Sequence, residues 1–480
     1  MYPPQASSQE LEHTVAQAID WALAHGLVVR PPLEKQAIFT NNAAVTHAPF
    51  SLYPTPFPRK EYEKAKTLQQ PWNTLIHKMS RDEDLISETM ETLSKLDDFM
   101  NQLYEIYLTV KNEGIVQTAS LGIHRNDYLL HAEVGADAAS AKIQQVEFNT
   151  ISSSFMSLSH RTTELHRYLL SALKGYAGDQ IQMNQLPENK AIDSIARGLA
   201  DAWKHYGNPD ARVAMIIQPG ERNAFDQRWI EYALLENHGV PLVRLSLEDI
   251  ATRAKLDTNT KALLIDGYEI AVSYFRAGYG PEDYPTQKEW DARRVIERSL
   301  SIKCPTVAYQ LVGSKKVQQV LAEPGRLERY VDKETADAMR ESFAGLYPLD
   351  NSPEGLAAYK KALAEPEHLV MKPQREGGGH NIYGQDILAE LKKLTPEERN
   401  AYILMDLIRS PPLDNYMIRE GQVIAGQVVS ELGIYGIYIG DQDKEIVNYT
   451  GGHLLRTKAT TTLEGGVAAG FAVIDSPLLV

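Results

Sequence analysis

Cysteine is nearly absent from this sequence, since Cys304 is the single example in 480 residues. One thiol excludes any disulfide bond within the chain, and this favours a reducing compartment. Cys304 precedes Pro305 and has no basic neighbour in the sequence that would activate its thiol. We therefore interpret Cys304 as a structural residue.

The sequence also lacks long apolar runs and a recognisable targeting segment. No stretch of eighteen apolar residues, the length that spans a bilayer, occurs anywhere. The first residues, MYPPQASSQELEH, do not combine a basic segment with an apolar core. We expect a soluble, cytoplasmic protein without a membrane partner.

Positive charge is in deficit, with 49 lysine and arginine residues against 63 aspartate and glutamate residues, a net charge of -14. This balance opposes attraction to nucleic acids and anionic membranes, so local lysines and arginines must meet any anionic ligand. A hydrophobic fraction of 43% and a charged fraction of 23% are ordinary for a globular protein. The length predicts two or three lobes, and we find no internal repeat.

A glycine-rich segment, MKPQREGGGHNIY at residues 371–383, is the strongest local signal. We expect a strand to bring Lys372 to its end, and residues 377–379 to leave backbone N–H groups unshielded. Lys372 and Arg375 add positive charge, and the Glu376 carboxylate can hold a divalent ion. The segment predicts a site for a nucleoside triphosphate, although it matches neither the P-loop nor the dinucleotide fingerprint. A surface hairpin is the alternative.

A second polar cluster lies in the segment QVEFNTISSS. Glu147 and Asn149 are one residue apart, so on a strand both side chains leave the same face. Two neighbouring oxygen ligands predict a magnesium site, and an edge strand with solvated polar residues is the alternative. The serines at 152–154 follow as a hydroxyl-rich turn, either a plain turn or one that binds a carboxylate or an amino group.

Ser314 is a predicted helix N-cap followed at once by Lys315 and Lys316. The helix dipole disfavours cations at these positions, so the pattern indicates either a bound anion such as a phosphate or two solvated lysines on a surface turn.

Helices and strands alternate from about residue 190 to residue 300, which predicts an α/β lobe. Ligands of such lobes bind beyond the strand ends, where five polar residues fall: Glu221, Asn223, Gln227, Arg276 and Tyr279.

Two helical patterns precede this lobe, and a β-rich region ends the chain. Ser7 and Glu10 predict a capping box at the first helix, and apolar spacing predicts one long helix from about 84 to 114. Near the C-terminus, small residues at 465–470 form a second flexible loop. Two such loops predict a site that closes over its contents.

The ordered set of these motifs resembles the eukaryotic glutathione synthetases, members of the ATP-grasp ligase superfamily. The resemblance spans nearly the whole chain and is carried by the stretches LGIHRNDY, QVEFNTIS, ERNAFDQR, RAGY, GSKKVQQ, KPQREGGG, SELGIYG, GHLLRTKA and GGVAAG. It implies an α/β protein, α+β overall, with an ATP-grasp fold, an inserted α/β substrate lobe and a mobile lid. It also implies a homodimer that joins γ-glutamylcysteine to glycine with ATP through an acyl phosphate.

Four segments are expected on this basis. They are residues 1–200, a helical region with the first part of the core; 201–310, the substrate lobe; 311–415, the lid with the glycine-rich loop; and 416–480, the return to the core.

The resemblance also implies a role for each matching residue. Catalytic roles fall to Arg125, Lys372 and Arg456. The metal ligands, for two Mg²⁺ ions, are Glu147, Asn149 and Glu376. The ATP contacts are Glu147, Lys315, Lys372, Gln374, Gly377, Gly378, Gly379, Asn381, Tyr383, Met405, Asp406, Ile408, Glu431, Lys458 and Glu464. The contacts to the peptide and to glycine are Arg125, Ile151, Ser152, Ser153, Ser154, Glu221, Asn223, Gln227, Arg276, Tyr279, Arg456, Val467 and Ala468.

Three positions depart from the family pattern: His380 replaces a common asparagine, Asp406 a common glutamate and Ser153 a frequent alanine. None removes an expected phosphate or metal ligand. Other functions remain open at this point, namely a ligase that uses β-alanine or serine, a phosphotransferase, and a noncatalytic binding protein.

Overall fold

The structure is a computed structural model that describes residues 2–4, 6–31, 44–133, 140–173, 176 and 181–480. Within these ranges the chain forms α-helices at Ser8–Ala24, Arg59–Ser80, Glu83–Leu93, Asp98–Glu113, Met156–Ala172, Ala191–Tyr206, Ala224–His238, Leu247–Arg253, Gln287–Glu297, Val307–Val312, Lys315–Leu321, Lys333–Arg340, Pro353–Ala364 and Gln385–Leu391.

The strands of the described ranges are numbered in chain order. They are β1 Val28–Val29, β2 Thr46–His47, β3 Phe50–Ser51, β4 Thr55–Phe57, β5 Ala119–His131, β6 Lys142–Asn149, β7 Arg212–Ile216, β8 Leu242–Leu245, β9 Ala254–Leu256, β10 Leu263–Ile265, β11 Tyr268–Phe275, β12 Ile302–Cys304, β13 Leu346–Pro348, β14 Leu369–Pro373, β15 Ile382–Tyr383, β16 Tyr402–Asp406, β17 Leu413–Arg419, β18 Gln422–Asp441, β19 Lys444–Ala459, β20 Ala472–Asp475 and β21 Pro477–Leu479.

A thirteen-stranded mixed sheet forms the centre of the described molecule, in the order β17-β3-β20-β19-β18-β5-β12-β11-β10-β9. Strand β6 pairs with β5, and β7 lies between β11 and β8. The strands β5, β12, β11, β7 and β8 are paired in parallel, whereas β6, β5, β18, β19 and β20 are antiparallel neighbours. The sheet therefore joins an α/β half to a β-rich half, which confirms the predicted mixed α/β class.

The register of the antiparallel half brings distant segments side by side. Asn149 on β6 lies opposite Arg125 on β5, and Glu147 lies opposite Asp127. On the other side of β5, Glu431 of β18 pairs with Arg456 of β19. Polar residues from four strands thus share one region of the sheet.

A separate four-stranded antiparallel sheet has the order β13-β16-β14-β15. The helices Pro353–Ala364 and Gln385–Leu391 pack on it through a small core that includes Ala362, Met371 and Leu404. This unit carries the glycine-rich segment between β14 and β15.

Local sequence signals explain most helix ends. Ser7 and Glu10 form the predicted capping box, and Ser314 accepts a hydrogen bond from the Val317 amide at 3.5 Å. The prediction of one helix from 84 to 114 is wrong, because one helix ends at Leu93 and the next begins at Asp98. The side chain of Asp97 accepts a hydrogen bond from the Met100 amide at 3.0 Å and caps a second helix there.

Cys304 is buried in the main core, as its structural interpretation predicts. Of the helices in the described ranges, none combines the length and the apolar character that a membrane crossing needs.

Candidate active site

A cavity of about 240 Å³ lies where the β-rich half of the central sheet, the separate four-stranded sheet and the α/β half meet. Most of the predicted site residues line it: Arg125, Glu147, Asn149, Ile151, Ser152, Ser153, Ser154, Glu221, Asn223, Arg276, Tyr279, Lys315, Lys372, Glu376, Gly377, Gly378, Asn381, Tyr383, Glu431, Arg456, Lys458, Glu464, Val467 and Ala468. Segments that are far apart in sequence therefore meet around one space.

Lys315 joins two of the predicted metal ligands. Its Nζ atom lies 3.0 Å from Glu147 Oε2 and 2.8 Å from Glu376 Oε1. Burial by itself raises the pKa of Glu147, but Lys315 and Lys372 outweigh burial and lower this pKa to about 2. Burial holds the pKa of Glu376 above its ordinary value, and the negative charge of Glu147 adds to this effect while Lys315 opposes it. The carboxylate oxygens of Glu147 and Glu376 would attract a divalent cation more strongly than they attract the single positive charge of Lys315.

Asn149 lies in the same cavity wall as the two carboxylates. Its Nδ2 atom donates to the Arg125 carbonyl at 3.2 Å and to Asp127 Oδ2 at 3.0 Å, which leaves the amide oxygen available as a ligand. Two carboxylates and one amide oxygen suit Mg²⁺, which retains several waters. Over the described residues, no three histidine, cysteine, aspartate or glutamate side chains gather into a metal site.

Lys372 points from the end of β14 toward β6, where its Nζ atom donates to the Val146 carbonyl at 2.9 Å. Burial lowers the pKa of Lys372 to about 8, against the opposing effect of Glu147. Lys315 and Lys372 are both buried in the wall of the cavity. Phosphate oxygens bound beside them would therefore stabilise the charged form of both side chains.

Two arginines are held by one buried carboxylate at the inner wall. Asp127 Oδ1 accepts from Arg125 Nε at 2.6 Å, while Asp127 Oδ2 accepts from Arg125 Nη2 at 2.8 Å and from Arg456 Nη2 at 2.9 Å. Arg456 also contacts the Glu431 carboxylate. Asp127 was not among the predicted residues, although the spacing of Arg125 and Asp127 on one face of a strand was a usable signal.

The glycine-rich loop and the small-residue loop contact each other. The backbone amides of Gly379 and Asn381 each donate to the Glu464 carboxylate at 3.0 Å. A Cβ atom at Gly378, where φ is +76°, would lie 3.3 Å from the Gly465 carbonyl oxygen. The two predicted flexible loops therefore form one side of the cavity together.

A second buried ion pair supports the opposite side. Arg276 Nη2 lies 2.9 Å from Asp226 Oδ2, and Asp226 also accepts from the amides of Phe155 and Ser157 at the start of a helix. The Nε and Nη1 atoms of Arg276 are buried and have no hydrogen-bond partner among the described residues. Buried donors without a partner are rare in proteins, so these two N–H groups are suited to bind an anionic ligand.

The remaining predicted residues lie outside the cavity wall. Met405 and Ile408 belong to a small apolar cluster with Val370 and Tyr383, next to the cavity. The Asp406 carboxylate is turned to the Tyr347 hydroxyl at 2.9 Å, so its side chain is not in the wall.

Two glutamines also stand back from the cavity. Gln374 accepts a hydrogen bond from the Lys316 amide at 3.1 Å and thus connects the segment after β14 to the helix Lys315–Leu321. Gln227 donates to Glu221 at 3.3 Å and accepts from Arg244 Nη2 at 2.6 Å. Both support residues that line the cavity. Other wall residues were not predicted, namely Leu129, Val146, Phe155, Gln218 and Leu463, and their apolar or neutral side chains gave no motif to find.

The fold and the site define a class. A small four-stranded sheet whose glycine-rich loop faces cations and carboxylates on a larger mixed sheet is the arrangement of an ATP-grasp type fold. A solved structure of a glutathione synthetase-like effector from Globodera pallida, in its apo form, shares this fold with a TM-score of 0.78 at 24% identity, covering 99% of this chain and 98% of that one.

Sequence comparison gives the family. The profile described as eukaryotic glutathione synthase, ATP binding domain, matches residues 8–479. Glutathione synthetase from Dictyostelium discoideum is 43% identical over 98% of this chain and 99% of its own length. The Homo sapiens enzyme is 42% identical over 98% and 97%, and the chloroplastic enzyme of Arabidopsis thaliana is 40% identical over 98% and 86%. The chain belongs to the eukaryotic glutathione synthase family.

Proposed function

We propose that this protein is a glutathione synthase, which joins γ-glutamylcysteine to glycine with ATP and releases ADP and phosphate. Family membership over residues 8–479 supports this activity. One observation carries the proposal: Lys315 bridges Glu147 and Glu376 in a cavity that Arg125 and Arg456 also line. This is a charged site for a phosphorylated nucleotide beside a site for carboxylates.

A carboxylate at neutral pH resists attack by an amine, so it must first become a better electrophile. In the proposed reaction the γ-phosphoryl group of ATP moves to the glycyl-accepting carboxylate of γ-glutamylcysteine, and the resulting acyl phosphate is attacked by the amine of glycine. Phosphoryl transfer requires alignment and charge neutralisation more than covalent help. Lys315, Lys372 and Arg125 supply that charge in our proposal.

Glu147, Asn149 and Glu376 would hold magnesium, with Lys315 turning from the carboxylates to the phosphates. When bound, magnesium neutralises phosphate charge and fixes the position of the nucleotide. The protein's own contribution is to place the carboxylates on neighbouring elements. Tyr383 and the apolar cluster beside it would contact the adenine.

The substrate end of the cavity contains three arginines. Arg276, with its unpartnered Nε and Nη1 atoms, would bind one carboxylate of γ-glutamylcysteine beside Ser152, and Arg125 would contact the carboxylate of this peptide that is phosphorylated. Arg456 would bind the glycine carboxylate. The loops that meet at Glu464 would keep water from the acyl phosphate, which otherwise hydrolyses. We find no general base, and glycine would lose its proton to water or phosphate.

Three further properties form part of the proposal. The protein would act as a homodimer, by analogy with the family resemblance. A cytoplasmic location fits a chain with a single cysteine. The segments 1–200, 201–310, 311–415 and 416–480 would act as core, substrate lobe, lid and core return.

The test is release of ADP from ATP and Mg²⁺ with γ-glutamylcysteine, measured with and without glycine, followed by the mass of the product. We expect glycine-dependent formation of glutathione. A phosphorylated peptide that accumulates without glycine would indicate a phosphotransferase instead. Parallel reactions with β-alanine and serine would reveal another acceptor preference.

A further inference from the structure

We propose that Asp127 is a positioning residue that holds Arg125 and Arg456 in place to receive the two carboxylate-bearing substrates. This inference deepens the proposed function and rests on it. Asp127 does not line the cavity itself, and its side chain is 0% exposed. It therefore acts through the arginines, whose side chains are 6% and 14% exposed and do line the cavity.

The hydrogen bonds of Asp127 fix both guanidinium groups. Arg125 makes a two-pronged contact through Nε and Nη2, a geometry that fixes the plane as well as the position of the group. Arg456 uses only Nη2, at 2.9 Å, so its other donors remain directed elsewhere. One carboxylate thus sets the separation of two cations that the proposed reaction uses for different substrates.

Asn149 ties the same carboxylate to the candidate metal site. Its Nδ2 atom donates to Asp127 Oδ2 at 3.0 Å, and this orients the amide oxygen away from Asp127. The phosphate-binding and carboxylate-binding ends of the cavity therefore share a single buried acceptor.

Charge gives a second reason for a carboxylate at this point. Arg125 and Arg456 meet at one acceptor, and Lys372 and Lys315 line the same cavity. Without Asp127, the two guanidinium groups would repel each other and turn apart, since a buried unpaired cation is strongly disfavoured. Glu431 contacts only Arg456 of the two arginines, so it does not replace Asp127.

Gly433 on β18 provides an independent indication that this arrangement is built into the sheet. It lies opposite Asp127 in the strand register. A Cβ atom at Gly433 would be 2.7 Å from Asp127 Oδ1 and 2.8 Å from Arg125 Cδ. The absence of a side chain here makes room for the pair, so Gly433→Ala should displace Asp127 and Arg125 while both keep their charges.

The first test is steady-state kinetics of Asp127→Asn in the full-length protein. This substitution preserves shape but removes the charge and two acceptor sites. We expect the KM for glycine and the KM for γ-glutamylcysteine each to rise about tenfold, with the KM for ATP changed by less than about threefold. Gly433→Ala should shift the same two constants, and it serves as the second variant if Asp127→Asn folds poorly.

Asp475→Asn is the matched control, because Asp475 is equally buried on the same sheet but accepts from Thr55 and Thr457 outside the cavity. It should lower thermal stability without raising either KM. If folded Asp127→Asn and Gly433→Ala both keep the two KM values within about twofold of wild type, Asp127 has no positioning role.

A double-mutant cycle separates positioning from general structural damage. In an Arg456→Ala background, Asp127→Asn should add less than about twofold to the KM for glycine, because the group it acts through is gone. An equal rise in both backgrounds would overturn the inference. If wild-type protein forms no glutathione, the proposed function fails and this inference falls with it. If Arg456→Ala and wild type share one glycine KM, the glycine assignment of Arg456 and this inference are refuted, while the proposed function stands.

Discussion

Glu376 lies 2.8 Å from the Lys315 ammonium group, although the two residues are 61 positions apart in the chain. The ion pair joins the glycine-rich segment after β14 to the first residue of the helix Lys315–Leu321. It explains why lysine is tolerated at the first helical position: a carboxylate from another segment faces it. The same pair would have to separate when a nucleotide with magnesium enters.

Replacement of Lys372 by methionine tests the phosphate site. The variant keeps most of the apolar stem and removes the ammonium group, so ATP-dependent product formation should be abolished, which a coupled ADP assay would measure. Lys392→Met is the control, because Lys392 is exposed at the end of the helix Gln385–Leu391, and it should retain wild-type turnover. Near-normal turnover of Lys372→Met would refute its role.

Glu376→Gln tests the proposed magnesium site. Loss of a carboxylate charge should raise the Mg²⁺ concentration for half-maximal activity by about tenfold or more. The measurement is a magnesium titration at saturating ATP, with exposed Glu354→Gln as the control. An unchanged magnesium requirement would remove Glu376 from the metal site.

Arg456→Ala tests the assignment of the glycine end. The lost guanidinium should raise the KM for glycine by about tenfold to a hundredfold, and far more than the KM for ATP. Both constants come from the same assay, so ATP is the internal reference. Equal changes in the two constants would contradict the assignment.

Gly378→Ala tests the contact between the loops. The added methyl group would meet the Gly465 carbonyl at 3.3 Å, and alanine is strained at a φ of +76°. We expect turnover to fall several-fold while the melting temperature changes little. Gly421→Ala has the same backbone problem at a φ of +75° in open space, so it controls for strain alone. Similar turnover in the two variants would mean that the loop contact is unimportant.

Two buried histidines predict loss of stability in acid. Burial lowers the pKa of His124 and of His453 from 6.5 to about 3 in the folded protein. At pH values between 6.5 and about 3, the unfolded chain binds more protons at these histidines than the folded protein does. The free energy of unfolding therefore falls as the pH is lowered through this range. Each histidine contributes a slope of about 1.4 kcal/mol per pH unit.

Urea denaturation at several pH values between about 7 and 5 measures that slope. His124→Gln should reduce this slope by the equivalent of about one proton. An unaltered slope in His124→Gln would show that this imidazole does not remain neutral in the folded protein.

Sequence reasoning was most successful where a function depends on neighbours in one segment. The alternation of side chains along a strand predicts that Glu147 and Asn149 share one face. The three consecutive glycines and the charges beside them predict the glycine-rich loop. These predictions need only the local period of a strand or the conformational freedom of glycine.

Relationships across distant segments escaped that reasoning. Asp127 and Arg456 are 329 positions apart, and only the pairing of β5, β18 and β19 brings them together. The break at Asp97 was missed because apolar residues continue at helical spacing on both sides of it. Asp406 was grouped with Met405, but neighbouring residues of a strand face opposite sides, and only Met405 faces the apolar cluster.

The buried position of Cys304 matters for a protein that handles thiol-containing peptides. Exchange with an oxidised peptide requires an accessible thiolate, and here burial raises the pKa of a thiol that is 2% exposed. No other sulfhydryl group exists in the chain. We therefore expect neither its substrate nor its product to become attached through a mixed disulfide, so oxidation of the surrounding small thiols would not modify the protein at its own cysteine.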